Sequence, residues 1–427
     1  MRLVFFAVLS ISCVSRVPPP SSASARPELV FAWASMPFDF RTPDEAKAYR
    51  DAKVFSRAPL AGVEVDHGGN VYVTTPRWLD ARVPSTLSRV VTVNGQPVLR
   101  PFPSWEHHAL GRPEAFQNVL GVEIDSQDRM WVLDMGWVAG VDSVADGAQK
   151  LVVIDLRTGE ELRRYAIPDS VADRRTSFLN DLAVDEAREL AYLSDSGNRA
   201  GSPTASGIIV YDFRANSARR VLDRDPRVTD DPARTLTVDG EPVFASGRLA
   251  VGLNGIALSP DGETLWWSIT TGDALYRAPT VVLRDLSASP QRLAAAVVGP
   301  RRIGGGSDGI SVDARGRVYV TNLARNAVEV LDPSTDTLTT LAAGSDFVWP
   351  DSLSWDDRGG LYVSTNRLHH AFSGRLSYEG PAPNFRIFRI PTDSTKGFVF
   401  PQSPPGPPCR TEPLSRPSAG CTPGELF

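Results

Sequence analysis

The feature that most constrains this chain is a pattern that recurs six times along it. Each copy has a short polar or glycine-containing start, alternating apolar residues, a polar turn and a second run rich in Val, Tyr and Trp. The copies are residues 62–75, 121–134, 180–195, 254–269, 308–322 and 351–365. Apolar residues at every second position on both sides of a polar turn predict a β-hairpin. The sequence therefore predicts six related hairpins.

The six hairpins predict one closed ring. Further strands follow most of them, as at residues 150–156, 207–213 and 327–332, so each unit predicts a four-stranded blade. A ring of blades leaves only short, protected strand edges. We therefore predict an all-β six-bladed β-propeller over residues 29–396, in which residues 29–33 and 385–390 close the ring by sharing a blade. A β-sandwich or two domains is the alternative, but equal units show no boundary between them.

The start of the predicted ring and the segments on either side of it have sequence patterns of their own. A short helix is predicted at residues 43–52, where acidic residues suit a first turn. Residues 1–13 resemble a secretory signal that is too short to span a bilayer. Cleavage nearby and lipidation of Cys13 are the two alternatives for it. Residues 14–28 predict a linker, and residues 397–427 a Pro-rich tail in which Cys409 and Cys421 favour a disulfide in an oxidising compartment.

The amino-acid composition restricts the kinds of molecule that this protein could bind. The 427 residues are 22 % charged, the formal net charge is −5, and no basic run stands out. This balance is typical of a soluble globular protein and argues against a nucleic-acid partner. Together with the signal, it predicts a secreted or periplasmic protein without a transmembrane span, held at the outer membrane only if Cys13 carries a lipid.

Several stretches of the chain match a known family in order and spacing. They are residues 71–78 with 83–87, 99–105, 130–136, 163–168 and 276–284. On these stretches the chain resembles the major royal jelly and Yellow protein family from about residue 29 to 391. The resemblance implies a six-bladed propeller and secretion. It also implies one of several functions: dopachrome conversion in pigment chemistry, binding of small amines, or storage and signalling.

A wider resemblance is to gluconolactonases and regucalcin-like lactonases, which are six-bladed and hold a divalent cation with one Glu, two Asn and one Asp. Asn180, Asn254 and Asp308 match three of those ligands. The resemblance thus implies a site for Ca²⁺ or another divalent cation at these residues. Ala61 stands where the lactonases have the Glu, and Glu64 lies three residues further along. That departure argues against the metal and against lactone hydrolysis.

Four oxygen-bearing side chains begin successive predicted inner strands. Asn180, Asn254, Asp308 and Asp351 occupy equivalent places in the last four hairpins, and we call them the start-position residues. A ring would gather them around one axis, where they line the channel mouth and suit a ligand or a hard cation. The alternative is that each one only caps a turn. Catalysis needs a titratable group, for which Asp181, Asp308 and Asp351 are the candidates.

Five further residues are interpreted from their positions along the predicted strands. Arg77 and Trp78 follow a blade-one strand, where Arg could meet an anionic ligand group and Trp could stack on an aromatic ligand. Inter-blade packing is the alternative for both. Trp349 precedes Asp351 and is expected near the mouth as a ligand contact. Glu64 and Glu123 hold equivalent places at an odd offset from the strand starts, which predicts the opposite strand face.

These inferences predict a secreted propeller that binds a small aromatic or amine-bearing molecule at the channel mouth. Two kinds of catalysis stay open: isomerisation of the dopachrome-converting kind, and metal-dependent lactone hydrolysis. The alternative is a non-catalytic protein that sequesters a ligand or interacts at the cell surface.

Overall fold

Each predicted hairpin forms the two inner strands of a four-stranded antiparallel sheet. The computed structural model describes residues 26–141, 143–200, 204–244, 246–378 and 382–400. Within these residues six four-stranded sheets follow one another along the chain as the blades of a propeller. The prediction of a six-bladed β-propeller is confirmed.

The strands are numbered along the chain from β1 (Glu28–Trp33). Blade one contains β2 (Val63–Val65), β3 (Val71–Thr74), β4 (Leu87–Val93) and β5 (Gln96–Pro101). Blade two contains β6 (Val119–Ile124), β7 (Arg129–Asp134), β8 (Lys150–Asp155) and β9 (Glu161–Ala166). Blade three contains β10 (Leu179–Asp185), β11 (Leu190–Asp195), β12 (Gly207–Asp212) and β13 (Ser217–Val221).

A small hairpin, β14 (Thr237–Val238) and β15 (Glu241–Pro242), then precedes the fourth blade. Blade four contains β16 (Leu253–Leu258), β17 (Thr264–Ile269), β18 (Ala274–Pro279) and β19 (Val298–Arg302). Blade five contains β20 (Ile310–Val312), β21 (Val318–Asn322), β22 (Ala327–Asp332) and β23 (Thr337–Ala343). Blade six contains β24 (Pro350–Trp355), β25 (Gly360–Thr365) and β26 (Phe385–Pro391), with β1 as its outer strand.

The two ends of the propeller close the ring, as the sequence predicted. Strand β1 pairs antiparallel with β26, so that Trp33 lies opposite Phe385. The Trp33 indole also donates a 3.0 Å hydrogen bond to the carbonyl of Pro97 in blade one. Blade six is therefore built from both ends of the chain and is tied to its neighbour in the ring.

An aspartate in the inner hairpin turn explains part of the repeated pattern. Oδ1 of Asp125 accepts hydrogen bonds from the backbone N–H groups of Gln127 and Arg129, both at 3.0 Å. Asp313 and Asp356 hold the corresponding turns of blades five and six in the same way. The repeated Asp is thus a turn-forming residue.

Helices are short and few in the described parts of the chain. The predicted helix is α1 (Pro43–Asp51), whose N-cap Thr42 accepts a hydrogen bond from the backbone N–H of Glu45. The sequence did not predict α2 (Thr280–Leu283), α3 (Pro290–Ala296) or α4 (Leu368–Phe372). None of the helices in the described residues is long and apolar enough to cross a bilayer.

The core lies between neighbouring blades. Trp131, Tyr211 and their apolar neighbours pack between blades two and three, and Trp267 is fully buried between blades three and four. Tyr319 and Trp355 meet edge-on between blades five and six, with ring centroids 4.8 Å apart. These aromatic contacts fix neighbouring blades against one another, which leaves the innermost strands to line the axis.

The predicted segments at the chain ends fall largely outside the described residues. Residues 1–25, with the signal and Cys13, and residues 401–427, with the predicted Cys409–Cys421 disulfide, are not described. Residues 397–399 of the predicted tail do pack on the propeller, where Gly397 donates to the carbonyl of Val312 and the side chain of Val399 is buried.

Candidate functional site

An extra residue near the start of most inner strands sets the geometry of the axis. In β10, Leu179 pairs with Asp195 and Leu182 with Leu193, so three steps on the inner strand oppose two on its neighbour. Strands β6, β16 and β24 have the same irregularity. A bulge of this kind turns two successive side chains toward one side. It brings Asn180 and the adjacent Asp181 to the axial channel together.

The start-position residues meet at the boundary between two cavities. All four line a wide cavity of about 650 Å³, which we call the mouth cavity. The same four also line the narrow axial channel that continues beneath it, with a volume of about 70 Å³. Ring closure therefore gathers Asn180, Asn254, Asp308 and Asp351 around one axis, as the sequence predicted.

The walls of the mouth cavity are aromatic, whereas its floor is polar. In the described part of the chain the aromatic lining residues are Trp78, Trp137, Phe178, Phe244, Trp349 and Phe372. The floor consists of the start-position residues and Thr270. An apolar cavity with a few converging polar groups is the usual form of a small-molecule site.

Hydrogen bonds hold Asp308 in place from two sides. Its Oδ2 accepts a 2.6 Å hydrogen bond from the indole Nε1 of Trp349. Its Oδ1 accepts one from Nδ2 of Asn254, which also donates to Thr270 Oγ1 at 2.8 Å. Asp308 is therefore a rigid acceptor at the floor of the cavity.

Trp349 adopts a backbone conformation that bulky residues rarely take. Its φ is +52°, in the left-handed region. Such a residue costs on the order of 1–3 kcal/mol and persists where the surroundings hold it. Here the hydrogen bond to Asp308 and the parallel ring of His369, 5.9 Å away, hold the indole against the cavity.

The acids at the floor bind protons more tightly than usual. Burial raises the pKa of Asp308 to about 6. Burial and then the negative charge of Asp308 raise the pKa of Asp351 well above its ordinary value. Nδ2 of Asn366 donates to Asp351 at 2.5 Å, which partly opposes that shift. The floor therefore carries two carboxyl groups whose protonated forms are favoured by burial.

The structure places Arg77 outside the mouth cavity, which corrects the expectation that it meets an anionic ligand group. Its side chain is 1 % exposed. The guanidinium donates to five backbone carbonyls, those of Val83, Pro84, His108, Phe116 and Gln117. Arg77 therefore joins loops of blades one and two, while its neighbour Trp78 does line the cavity.

Glu64 and Glu123 line the axial channel, so the prediction that they lie on the opposite face is wrong. In blade two the orientation of Glu123 is explained by the bulge in β6, because one extra residue reverses the alternation of the side chains that follow it. Glu64 accepts a 2.9 Å hydrogen bond from Ser354 Oγ on the neighbouring strand β24 of blade six. Burial raises the pKa of Glu64 to about 8, and Asp181, deeper in the channel than the mouth, has its pKa raised by burial to about 7.

Much of the propeller sequence matches known proteins. The family profile described as Major royal jelly protein matches residues 117–397. The chain belongs to the major royal jelly protein family. It is 28 % identical over 274 residues to Major royal jelly protein 3 of Apis mellifera, covering 59 % of this chain and 45 % of that protein. It is 29 % identical over 283 residues to Protein yellow of Drosophila melanogaster, covering 62 % of this chain and 50 % of that protein.

This royal jelly family member spans about half the length of the curated relatives that it matches. Among solved structures, a calcium-binding protein, regucalcin, from Agrobacterium tumefaciens aligns with it at a TM-score of 0.49 and 15 % identity. The alignment covers 80 % of this chain and 92 % of that one.

The residues of this family member do not fit a cation held as in the lactonases. Both carboxylate oxygens of Asp308 accept hydrogen bonds, and the amide nitrogen of Asn254 faces Asp308. Ala61, which the resemblance places at the fourth ligand position, has no side-chain oxygen. Within the described ranges, no group of three or more His, Cys, Asp or Glu side chains is placed to hold a metal ion. Cation binding by Asn180, Asn254 and Asp308 stays a prediction.

Some wall residues could have been found from the repeat and others could not. Phe178 and Trp349 both stand two residues before a start-position residue, so the repeat marks them as lying at the mouth. Phe244 follows the β14–β15 hairpin and Phe372 lies on α4. Neither segment belongs to the repeated pattern, so no sequence signal connected them with this royal jelly family site.

Proposed function

We propose that this royal jelly family protein binds a small aromatic molecule carrying a positively charged amine. The observation that carries the proposal is the pairing of two carboxyl groups, Asp308 and Asp351, with aromatic walls in one cavity. The carboxylates would accept hydrogen bonds from the ammonium group, and the aromatic side chains would contact the ring. A cavity of about 650 Å³ is within the size range of small-molecule sites.

The charges around the mouth cavity support a cationic ligand. In the described lining, Asp308 and Asp351 are the acids and Arg199 is the base. The guanidinium of Arg199 lies over the ring of Trp137, 5.1 Å from its centroid, and donates to the carbonyl of Arg174. It is thus held at the wall, and negative charge dominates the floor.

Titration calorimetry with matched ligands tests the proposal. Tyramine carries both the ring and the amine, 4-ethylphenol lacks the amine, and butylamine lacks the ring. We expect tyramine to bind most tightly. We expect D351N to weaken tyramine roughly tenfold or more, because a hydrogen bond to a charged group contributes about 1.5–3 kcal/mol. D51N, which alters an exposed carboxylate at the end of α1, is the matched control.

Two results would overturn the proposal. One is equal affinity for tyramine and 4-ethylphenol, which would mean that the amine is not recognised. The other is an unchanged tyramine affinity in D351N and in D308N, which would mean that the carboxyl groups of the cavity floor do not contribute to binding.

Proton transfer is a second candidate function, and the two floor carboxyls favour it. Burial and the charge of Asp308 raise the pKa of Asp351 well above its ordinary value, which favours its protonated form, whereas Asp308 is mostly ionised above about pH 6. Such a pair suits an acid and a base in an isomerisation of the dopachrome-converting kind. Asp181 lines the channel beneath and is not among the lining residues of the mouth cavity. It is therefore not placed to contact a ligand in the mouth cavity.

Turnover assays distinguish an enzyme from a sequestering protein. Conversion of dopachrome that is lost in both D351N and D308N would support the isomerase. Tight binding of tyramine without turnover of dopachrome or lactones would favour the non-catalytic alternative. Export is part of the proposal as well, and the mass of the mature protein recovered from cells would show whether residues 1–13 are removed and whether Cys13 carries a lipid.

A further inference from the structure

A short C-terminal segment covers the end of the axial channel that lies away from the mouth cavity. We call residues 392–400 the C-terminal strap. The backbone N–H of Thr392 donates to the carbonyl of Gly359 in blade six, and the carbonyl of Thr395 accepts from Ala314 in the β20–β21 turn of blade five. The carbonyl of Val399 then accepts from Ala187 in the β10–β11 turn of blade three. The strap therefore crosses the axis from one side of the ring to the other.

Lys396 extends from the strap into the channel. Its Nζ lies 2.5 Å from Oε1 of Glu123 and donates a 2.9 Å hydrogen bond to the carbonyl of Ile124. The ring of Phe398, also on the strap, lies 5.2 Å from the ammonium group. Glu64 is the other acid at this end, and the charge of Lys396 favours its ionised form. The ammonium is thus contacted by a carboxylate, a carbonyl and an aromatic face.

The channel is otherwise strongly acidic. Its described lining contains five carboxyl groups, those of Glu64, Glu123, Asp181, Asp308 and Asp351. In that described lining the one cation is Lys396. The positive charge comes from outside the ring of blades, on a segment that is not part of the repeat.

We propose that the narrow end of the channel is a second cation-binding site, selective for a primary ammonium group and filled in cis by Lys396. Among the described residues, the bound lysine occupies the end of the axial channel that lies away from the mouth cavity. The site does not depend on the ligand proposed for the mouth.

The contacts explain why an ammonium group suits the site better than a metal. An ammonium has three N–H donors, and here the Glu123 carboxylate and the Ile124 carbonyl contact it directly, while Glu64 adds a nearby negative charge. Calcium would need six to eight oxygens, and no cluster of three or more metal-ligating side chains occurs in the described residues. The aromatic ring of Phe398 adds an attraction for an organic cation.

Chemical rescue tests the proposal. K396A removes the side chain beyond Cβ, and propylammonium reproduces the missing atoms from Cγ to Nζ. We expect K396A to melt below the wild type at pH 7. We expect propylammonium chloride to raise its melting temperature by about 2 °C or more beyond the same concentration of sodium chloride. Tetramethylammonium, which has no N–H donor, should give no such gain.

Matched variants give the controls. K396M keeps the site filled with an apolar chain, and E123Q combined with K396A removes the charged acceptor, so neither should respond to propylammonium. The wild type, whose site holds Lys396, should not respond either. Equal shifts in all four proteins, or no shift in K396A, would overturn the proposal. If K396A does not fold in sodium buffer, refolding yield gives the same comparison: a higher yield in propylammonium supports the site, and an equal yield overturns it.

Discussion

The indole Nε1 of Trp349 donates a 2.6 Å hydrogen bond to Oδ2 of Asp308, and this contact joins the aromatic wall of the mouth cavity to its acidic floor. Both residues are almost fully buried. The contact orients the carboxylate toward its other partner, Asn254. Binding of an amine at the floor would therefore depend on a side chain that belongs to the wall.

Replacing Trp349 with Phe separates the contribution of its indole hydrogen bond from that of its aromatic ring. W349F keeps an aromatic face and removes the donor, so Asp308 loses a charged hydrogen bond worth about 1.5–3 kcal/mol. Trp78 provides the matched control, because it lines the same cavity and its Nε1 has no hydrogen-bond partner in the described residues. We expect urea unfolding to show a larger loss of stability in W349F than in W78F. Equal losses would mean that the indole N–H contributes nothing.

The floor carboxyls predict how stability changes with pH. The pKa of Asp351 is higher in the folded chain than its ordinary value of 3.8, because of burial and of the charges of Asp308 and Asp181. The folded state therefore binds more protons, and this group lowers stability as the pH rises above 3.8. D351N removes the effect, so its melting temperature relative to the wild type should become more favourable from pH 5 to pH 8.5. A difference that stays constant over this range would contradict the assignment.

Arg77 predicts a loss of stability without a loss of recognition. R77M leaves five buried carbonyl groups without their donor, and we expect it to cost at least about 3 kcal/mol in urea unfolding. R77K, which keeps a charge but fewer donors, should lose less. The folded fraction of either variant should bind tyramine within about twofold of the wild type. A stable R77M that no longer binds tyramine would return Arg77 to the ligand site.

Divalent cations should leave the protein unchanged. A cation that binds only the folded state raises the melting temperature in proportion to ln(1 + [L]/Kd). Because the oxygens of Asp308 are engaged by Trp349 and Asn254, we expect the same melting temperature in 5 mM Ca²⁺, in Mg²⁺ and in EDTA, within about 1 °C. A clear increase in Ca²⁺ that is lost in D308N would support the lactonase-type site.

The repeated pattern was enough to predict the six-bladed ring, but it did not predict on which face of its strand every side chain lies. Period-two patterns identified all six hairpins and the start-position residues, because hairpin turns and alternation are local properties of the sequence. The bulge that turns Glu123 into the channel adds one residue to a strand, and a single sequence does not show which residue is the extra one.

Contacts between residues far apart in the sequence were the second feature that the sequence alone did not predict. Arg77 stands in an ordinary place at a strand end, and only the folding of loops 31 to 40 residues away supplies its carbonyl partners His108, Phe116 and Gln117. Lys396 lies at the border of a Pro-rich tail, and its partner Ile124 is 272 residues away. Neither contact has a local signal, so both had to come from the structure.

A crystal structure with tyramine bound would test the central claim most directly. We predict that the amine lies in the mouth cavity within about 3 Å of a carboxylate oxygen of Asp351 or Asp308, with the phenol ring against Trp78, Trp349 or Phe372. A ligand bound elsewhere on the propeller, or one whose amine points away from the floor toward solvent, would contradict the account.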